Sequence, residues 1–372
     1  MAQFKLNFQA SPLDTRDHVI STTNPTTATS STSSSSTASV DLSSWCSSIK
    51  NQGPVGSCTA HASVALMEYF YNKNIANAKK EAEKNSKKED LFSEKFVYYV
   101  TRVNIAGWPA NDDCGAYLRD TMKTLVKYGT ALEKTCPYIR DGQTECNIAE
   151  TPSPGAYTEA LNFQVTKYAR VLETDKVKCL HDCKNLLNNG IGFVGGFLCY
   201  ENILDEQVGK TGIVPAPPTQ GPAKIIGGHA VLFIGYDDSK QLLKFKNSWG
   251  NEWGDSGYGY LPYSYLDKNL LTDLWTIYSQ ENNNISFDSI SGIAVTQGII
   301  TPQSRDAELK RRVAELLSLI GTMDIHSLQQ KINTNSRNAF VYKSDLAELN
   351  NLAVRIDSLC YIFFAAASKR TV

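Results

Sequence analysis

The chain has 372 residues, 42% of them hydrophobic, and its 37 Lys and Arg nearly cancel its 38 Asp and Glu to leave a formal charge of −1. That balance excludes a dedicated polyanion binder, so no nucleic-acid partner is expected, and the length allows one large domain with appendages or two ordinary ones. The most apolar run, Leu359 to Ala367, is about half of what a bilayer crossing requires, so no membrane span is expected.

Residues 1–20 form a mixed N-terminal segment, and from Ser21 to Val40 fifteen of twenty residues are Ser or Thr. Such a run has no apolar face to bury, so 21–38 reads as a linker. Composition then turns globular, and one domain is expected over 39–280. Gly53, Pro54 and Gly56 make a turn before a helix at Cys58 to Tyr71, where Ala62, Leu66 and Phe70 recur on one face. Lys73 to Asp90 reads as a solvated helical insertion. A second helix is expected over Tyr117 to Tyr128, stopped by Gly129. The segment holding Cys179, His181 and Cys183 fits an amphipathic helix better than a metal site, because no second ligand pair stands at a suitable distance. Short apolar strands are expected at Ile191 to Cys199, Ala230 to Tyr236 and Leu242 to Lys246. Helices first and strands second imply an α+β domain with segregated halves. A linker at 281–303 and a helical extension at 304–372 complete the chain. The extension carries its own apolar stripes, with helices over Ser304 to Ile320 and after Ser344, and is expected to pack on the main domain or to oligomerise with another chain.

Three separated pieces carry chemistry: NQGPVGSCTAHA at Asn51 to Ala62, GGHAVLFIGYD at Gly227 to Asp237, and FKNSWGNEWGDSGYGYLPY at Phe245 to Tyr263. Cys58 opens a helix after a glycine-rich turn, where free backbone N–H groups favour a thiolate. A cysteine at a helix start is more often just a small buried residue, and its company decides the matter. Gln52, across the turn, is placed to donate to a developing oxyanion. His229 begins a strand and Asn247 ends the next, so an antiparallel pair turning at Asp237 to Gln241 brings a base beside an uncharged residue that can orient it. Trp249 follows and can shield their hydrogen bond from water. His61, one helical turn after Cys58, is expected to pack or hydrogen-bond.

These motifs resemble the papain-like cysteine peptidases over roughly Asp41 to Tyr278, and Gln, Cys, His and Asn come in the family's order. The resemblance implies a two-lobed α+β fold, with a helical lobe, a β-barrel-like lobe and the active site in the cleft between them. It implies cysteine endopeptidase activity with Cys58 as nucleophile, His229 as general base and acid, Asn247 as orienter, and Gln52 with the Cys58 backbone N–H as oxyanion hole. Gly115, Ala116 and Gly228 would line the substrate cleft, with Trp249 and Trp253 as aromatic wall. Protein or peptide substrates are implied, and no metal or organic cofactor. The alternatives within the resemblance are a same-fold amidase or deubiquitinase-like enzyme, or a self-inhibited peptide-binding homologue.

Familiar members have a half-cystine where this chain has Val55, and its partner would fall at Asp113 in DDCGAY. Both halves are missing together. With nine cysteines, an odd number, and no signal peptide seen in the first twenty residues, a reduced setting is expected, cytoplasmic or virion-associated. The TAHA variant after Gly56 resembles the branch found in bacteria and large DNA viruses, which lacks a long propeptide. Only about forty residues precede the domain, and the segment around Ser11 to Val19 is expected to pack on it or lie across the cleft as an intramolecular inhibitor. The gaps of 171 residues from Cys58 to His229 and 18 to Asn247 are absorbed by surface insertions, which cost little.

Overall fold

A computed structural model describes residues 4–12, 14, 17–22, 38–78, 92–171, 175–218, 224–280, 285–286 and 293–296. The predicted helices of the C-terminal extension, and the predicted insertion beyond Ala78 as far as Asp90, lie outside the described residues.

Helix α1 (Cys58–Ala78) starts where the Gly53 to Gly56 turn ends, and Gly53 there takes φ +58°, a conformation that costs glycine nothing. Every residue from Cys58 to Phe70 is buried. The single apolar face expected from the sequence is therefore a fully enclosed helix, because strands cover one side and α2 (Glu94–Tyr99) and α3 (Leu118–Lys127) cover the other. Ser93 caps α2 by accepting from the Phe96 N–H at 3.0 Å, and α2 runs on into a π-helical turn at Val100–Ile105. Gly129, with φ +72°, ends α3 as expected. Shorter helices α4 (Pro154–Ala160), α5 (Lys176–Asn188), α6 (Glu206–Thr211) and α7 (Ser264–Asp267) complete the helical elements described.

The strands are β1 (Val19–Thr22), β2 (Ser39–Asp41), β3 (Val165–Val171), β4 (Phe193–Tyr200), β5 (Ile225–Asp237), β6 (Leu242–Lys246), β7 (Tyr258–Pro262), β8 (Leu271–Gln280), β9 (Ile285–Ser286) and β10 (Ile293–Thr296). Among the described residues they form one sheet in the order β10-β1-β3-β8-β4-β5-β6-β7, with β2 on β5 and β9 on β8. Strand β5 is its axis. Its residues Gly228 to Tyr236 are buried in an unbroken run, since α1 packs against this strand and β4 and β6 flank it. The antiparallel register Tyr236↔Leu243 and Leu232↔Lys246 closes through a turn in which Gln241 has φ +57°. Helices and strands segregate as an α+β protein with the papain-like two-lobed fold.

One boundary needs correction. The stretch 281–303, expected to be linker, contributes β9 and β10, and the compact unit runs to Thr296. Strand β10 pairs antiparallel with β1, which pairs in parallel with β3 on its other side. A four-residue strand in polar surroundings leaves no periodic signal; what recruits it is the unpaired backbone edge of β1.

Candidate active site

The β5–β6 pairing carries His229 and Asn247 to the same level. His229 Nε2 donates to Asn247 Oδ1 at 2.7 Å, and the Ser248 N–H donates to the same oxygen at 2.8 Å. With Nε2 bonded in this way, His229 Nδ1 is buried with no hydrogen-bond partner among the described residues. Trp249 stacks on the imidazole at a centroid distance of 4.5 Å. The edge of Trp253 meets Trp249 at 5.1 Å and 86°, which extends the aromatic wall.

Cys58 begins α1 and is fully buried, with its thiol against the backbone of Ala230, the residue after His229. Burial pushes the thiol up to about 11, against the opposing pull of the backbone N–H groups of Ala230, Thr59 and Cys58. Burial likewise pushes His229 down to about 4, although its bond to Asn247 works the other way. Burial thus disfavours the charged form of both groups, against the thiolate expected from the helix start.

Gln52 is held at both ends. Its Oε1 accepts from Ser248 Oγ at 2.7 Å, and its Nε2 donates to Val55 O at 2.8 Å and to Lys5 O at 3.4 Å. Its backbone N–H donates to Ser248 O at 2.9 Å. A chain of hydrogen bonds that the sequence did not reveal runs behind it. His61 Nδ1 lies 3.1 Å from Ser57 O and 3.2 Å from Ser57 Oγ, Ser57 Oγ lies 2.6 Å from Tyr138 Oη, and Tyr138 Oη donates to Gln52 O at 2.9 Å. His61 is accordingly a buried hydrogen-bonding residue, as expected. Ser248 could have been found from its place beside Asn247, whereas Tyr138, 86 residues from Gln52, had no signal.

The cleft beside these groups is filled by the chain's own residues 4 to 9. Phe4 stacks on Trp249, Lys5 O receives Gln52 Nε2, and the Gly228 N–H donates to Leu6 O at 3.3 Å. The Phe8 N–H donates to Gly228 O at 2.9 Å, and Gln9 bridges to Tyr117. Glycines make this approach feasible. A Cβ on Gly115 would fall 2.1 Å from Asn7 O, and one on Gly196 would fall 1.9 Å from the Phe8 ring. The segment touching the cleft is thus residues 4 to 9, upstream of the Ser11 to Val19 stretch singled out from the sequence. The latter anchors it. Ser11 N and Oγ donate to Asp273 Oδ2 at 2.9 and 2.8 Å, and Arg119 Nε donates to Asp17 Oδ1 at 2.9 Å. Gly115 meets Asn7 and Gly228 meets Phe8, while Ala116 beside Gly115 is buried.

Where the familiar half-cystines are missing, an acid does the fastening. Asp113 Oδ1 and Oδ2 each lie 3.1 Å from the Gly56 N–H, Tyr98 Oη donates to Oδ1 at 2.5 Å, and Lys5 Nζ donates to Oδ2 at 2.7 Å. The eight cysteines among the described residues are all free. Helix α5 buries Cys179 and Cys183 while the His181 side chain is 55% exposed, so the three do not converge. No helix among the described residues is long and apolar enough to cross a membrane.

Comparison with known proteins agrees with this architecture. A family model described as papain family cysteine protease matches residues 36–266. An uncharacterized peptidase C1-like protein of Acanthamoeba polyphaga mimivirus is 33% identical over 231 residues, 61% of this chain and 68% of its own length. Chymopapain of Carica papaya is 26% identical over 212 residues, 56% of this chain and 50% of its own length, so the chain spans about half of that relative. Among solved structures, xylellain, a cysteine protease from Xylella fastidiosa, aligns with TM-score 0.59 and 29% identity over 73% of this chain and 95% of its own. A viral and a bacterial protein thus stand among the relatives, in keeping with the branch that the TAHA motif resembles. The enclosed helix opening at Cys58, the sheet bearing the His229–Asn247 pair and the family match together identify the chain as a member of the papain family of cysteine proteases.

Proposed function

We propose that the protein hydrolyses peptide bonds through Cys58, His229 and Asn247, with Gln52 and the Cys58 N–H stabilising the oxyanion, and that its residues 4 to 9 hold it inactive until they leave the cleft. The observation that carries the catalytic part is the polarity of His229. Its Nε2 is committed to Asn247 Oδ1 at 2.7 Å, which leaves the buried Nδ1 as the nitrogen available to a thiol. Cys58 Sγ attacks the substrate carbonyl while its proton goes to His229 Nδ1. Asn247 keeps the resulting imidazolium oriented without adding a charge that would fix its proton. Gln52 Nε2, whose orientation is set by the Ser248 bond to Oε1, donates to the carbonyl oxygen as it becomes negative. The imidazolium then protonates the leaving amine, which departs and leaves a thioester on Cys58. Water, deprotonated by His229, attacks that thioester, releases the carboxylic acid and restores the thiol.

Inhibition by the segment is supported by what it touches: Trp249, Gln52, Gly228 and Gly115 are the groups that a substrate would need. Turnover of a fluorogenic dipeptide under reducing conditions, before and after removal of residues 1–10, tests both parts. Cysteine-dependent turnover that rises on removal is expected. Equal turnover would leave the segment without an inhibitory role, and absence of thiol-dependent turnover in both forms would contradict the catalytic reading.

A further inference from the structure

Lys5 meets the site in two places at once. Its carbonyl oxygen is 3.4 Å from Gln52 Nε2, and its ammonium is 2.7 Å from Asp113 Oδ2 and 2.9 Å from Asp113 O. The residue whose carbonyl lies at the oxyanion amide therefore sends its side chain to an acid on the cleft wall. From this juxtaposition we infer that Asp113 is a specificity-determining residue, which selects substrates with Lys or Arg on the acyl side of the bond to be cut. The inference rests on the assignment of Gln52 to the oxyanion site.

Asp113 is built to receive a cation. Both carboxylate oxygens are within 3.1 Å of the Gly56 N–H, and Tyr98 Oη donates to Oδ1 at 2.5 Å, so Oδ2 is the oxygen left facing the cleft. The Asp113 side chain is only 16% exposed, and a charged acceptor held in a partly dried site discriminates strongly between charged and neutral side chains. The backbone carbonyl of Asp113 supplies a second acceptor to the same ammonium. Placement follows from the chain: Gly56 stands two residues before Cys58, and Gly115, whose backbone borders the cleft, stands two residues after Asp113. The acid occupies the position at which a half-cystine would have presented a neutral, apolar sulfur. A carboxylate there changes which side chain the wall accepts.

The test uses the full chain, where competition from residues 4 to 9 lowers turnover of all peptides alike and leaves ratios intact. Dipeptide amides with Phe followed by Lys, norleucine or Glu are compared, norleucine keeping the stem without the ammonium. Lys is expected to exceed norleucine in kcat/KM by roughly 10- to 100-fold, the worth of a hydrogen bond to a charged group, with Glu lowest. In Asp113→Asn the Lys to norleucine ratio is expected to fall to about 1. Equal turnover of Lys and norleucine by the unmodified chain overturns the inference without any variant, and so does a ratio that survives in Asp113→Asn. Calorimetric binding of the same peptides to Cys58→Ala reads the preference without chemistry. A lost preference in binding overturns the role of Asp113, whereas absence of turnover with the preference retained counts against the catalytic assignment alone.

Discussion

Phe4 stacks on Trp249 with ring centroids 4.7 Å apart and planes 8° from parallel, and Trp249 in turn stacks on His229. The covering segment is thereby coupled through one indole to the imidazole. Replacing Phe4 by Ala removes the stack and its buried area, a loss of about 1–2 kcal/mol that raises the uncovered fraction roughly 5- to 30-fold. The rate of Cys58 labelling by a thiol-directed epoxide in the full chain should rise by that factor. An unchanged rate would mean that the stack contributes nothing to closure.

Acid should favour uncovering. Burial holds His229 near 4 in the covered chain, whereas a solvated histidine titrates at about 6.5, so the uncovered form binds more protons between those values. Closure is strongest between about 6.5 and 8.5 and weakens as pH falls toward 4. The Phe8 amide, which donates to Gly228 O, reports this directly. Its hydrogen-exchange protection, corrected for intrinsic rate, is expected to drop by roughly one to two orders of magnitude from pH 7 to pH 4. Protection that is constant or rises over that interval would contradict the linkage.

Stability of the domain should depend on a buried charge cluster beneath α1. Lys50 Nζ lies 3.0 Å from Glu68 Oε1 and 2.6 Å from Glu94 Oε1, and Ser47 Oγ donates to Glu68 Oε2 at 2.6 Å. Lys50→Met takes away the cation bonded to both buried carboxylates. A loss of about 3–5 kcal/mol in unfolding free energy is expected from such a broken buried pair, measured by urea denaturation at neutral pH. A change below about 1 kcal/mol would show that the cluster is hydrated rather than buried in solution.

Tyr138→Phe isolates the hydrogen-bond chain behind Gln52. It removes the donor to Gln52 O and the partner of Ser57 Oγ while keeping the ring that meets His61 edge-on at 4.8 Å. A loss of about 1–3 kcal/mol in stability is expected, because two buried polar groups lose a partner. A decrease in kcat with KM nearly unchanged should accompany it if the chain also positions the oxyanion donor.

Much of this site was legible because its chemistry sits in short local signals. The glycine turn before Cys58, the strand starting near His229 and the strand ending just before Asn247 are each set by neighbours within ten residues, and the antiparallel register follows from one turn. What could not be read depends on contacts across the chain. Asp113 looks like a lost half-cystine until Lys5, 108 residues away, is seen against it. Residues 4 to 9 have no strand pattern of their own and are extended only because Gly228 and Tyr117 offer backbone partners. The full enclosure of α1 has the same origin: Thr59, His61, Ser63 and Glu68 are polar, yet all four are buried. Two of them are explained by partners elsewhere, Ser57 for His61 and Lys50 for Glu68.

The assignment of Cys58 is tested most directly by comparing the unmodified chain with Cys58→Ala, using hydrolysis of a fluorogenic peptide under reducing conditions after removal of residues 1–10 from both. Hydrolysis by the unmodified protein and its loss by at least about 10⁴-fold in Cys58→Ala, with unchanged thermal unfolding, is the expected result. Comparable hydrolysis by the two proteins would contradict the role of Cys58 and, with it, the proposed use of His229, Asn247 and Gln52.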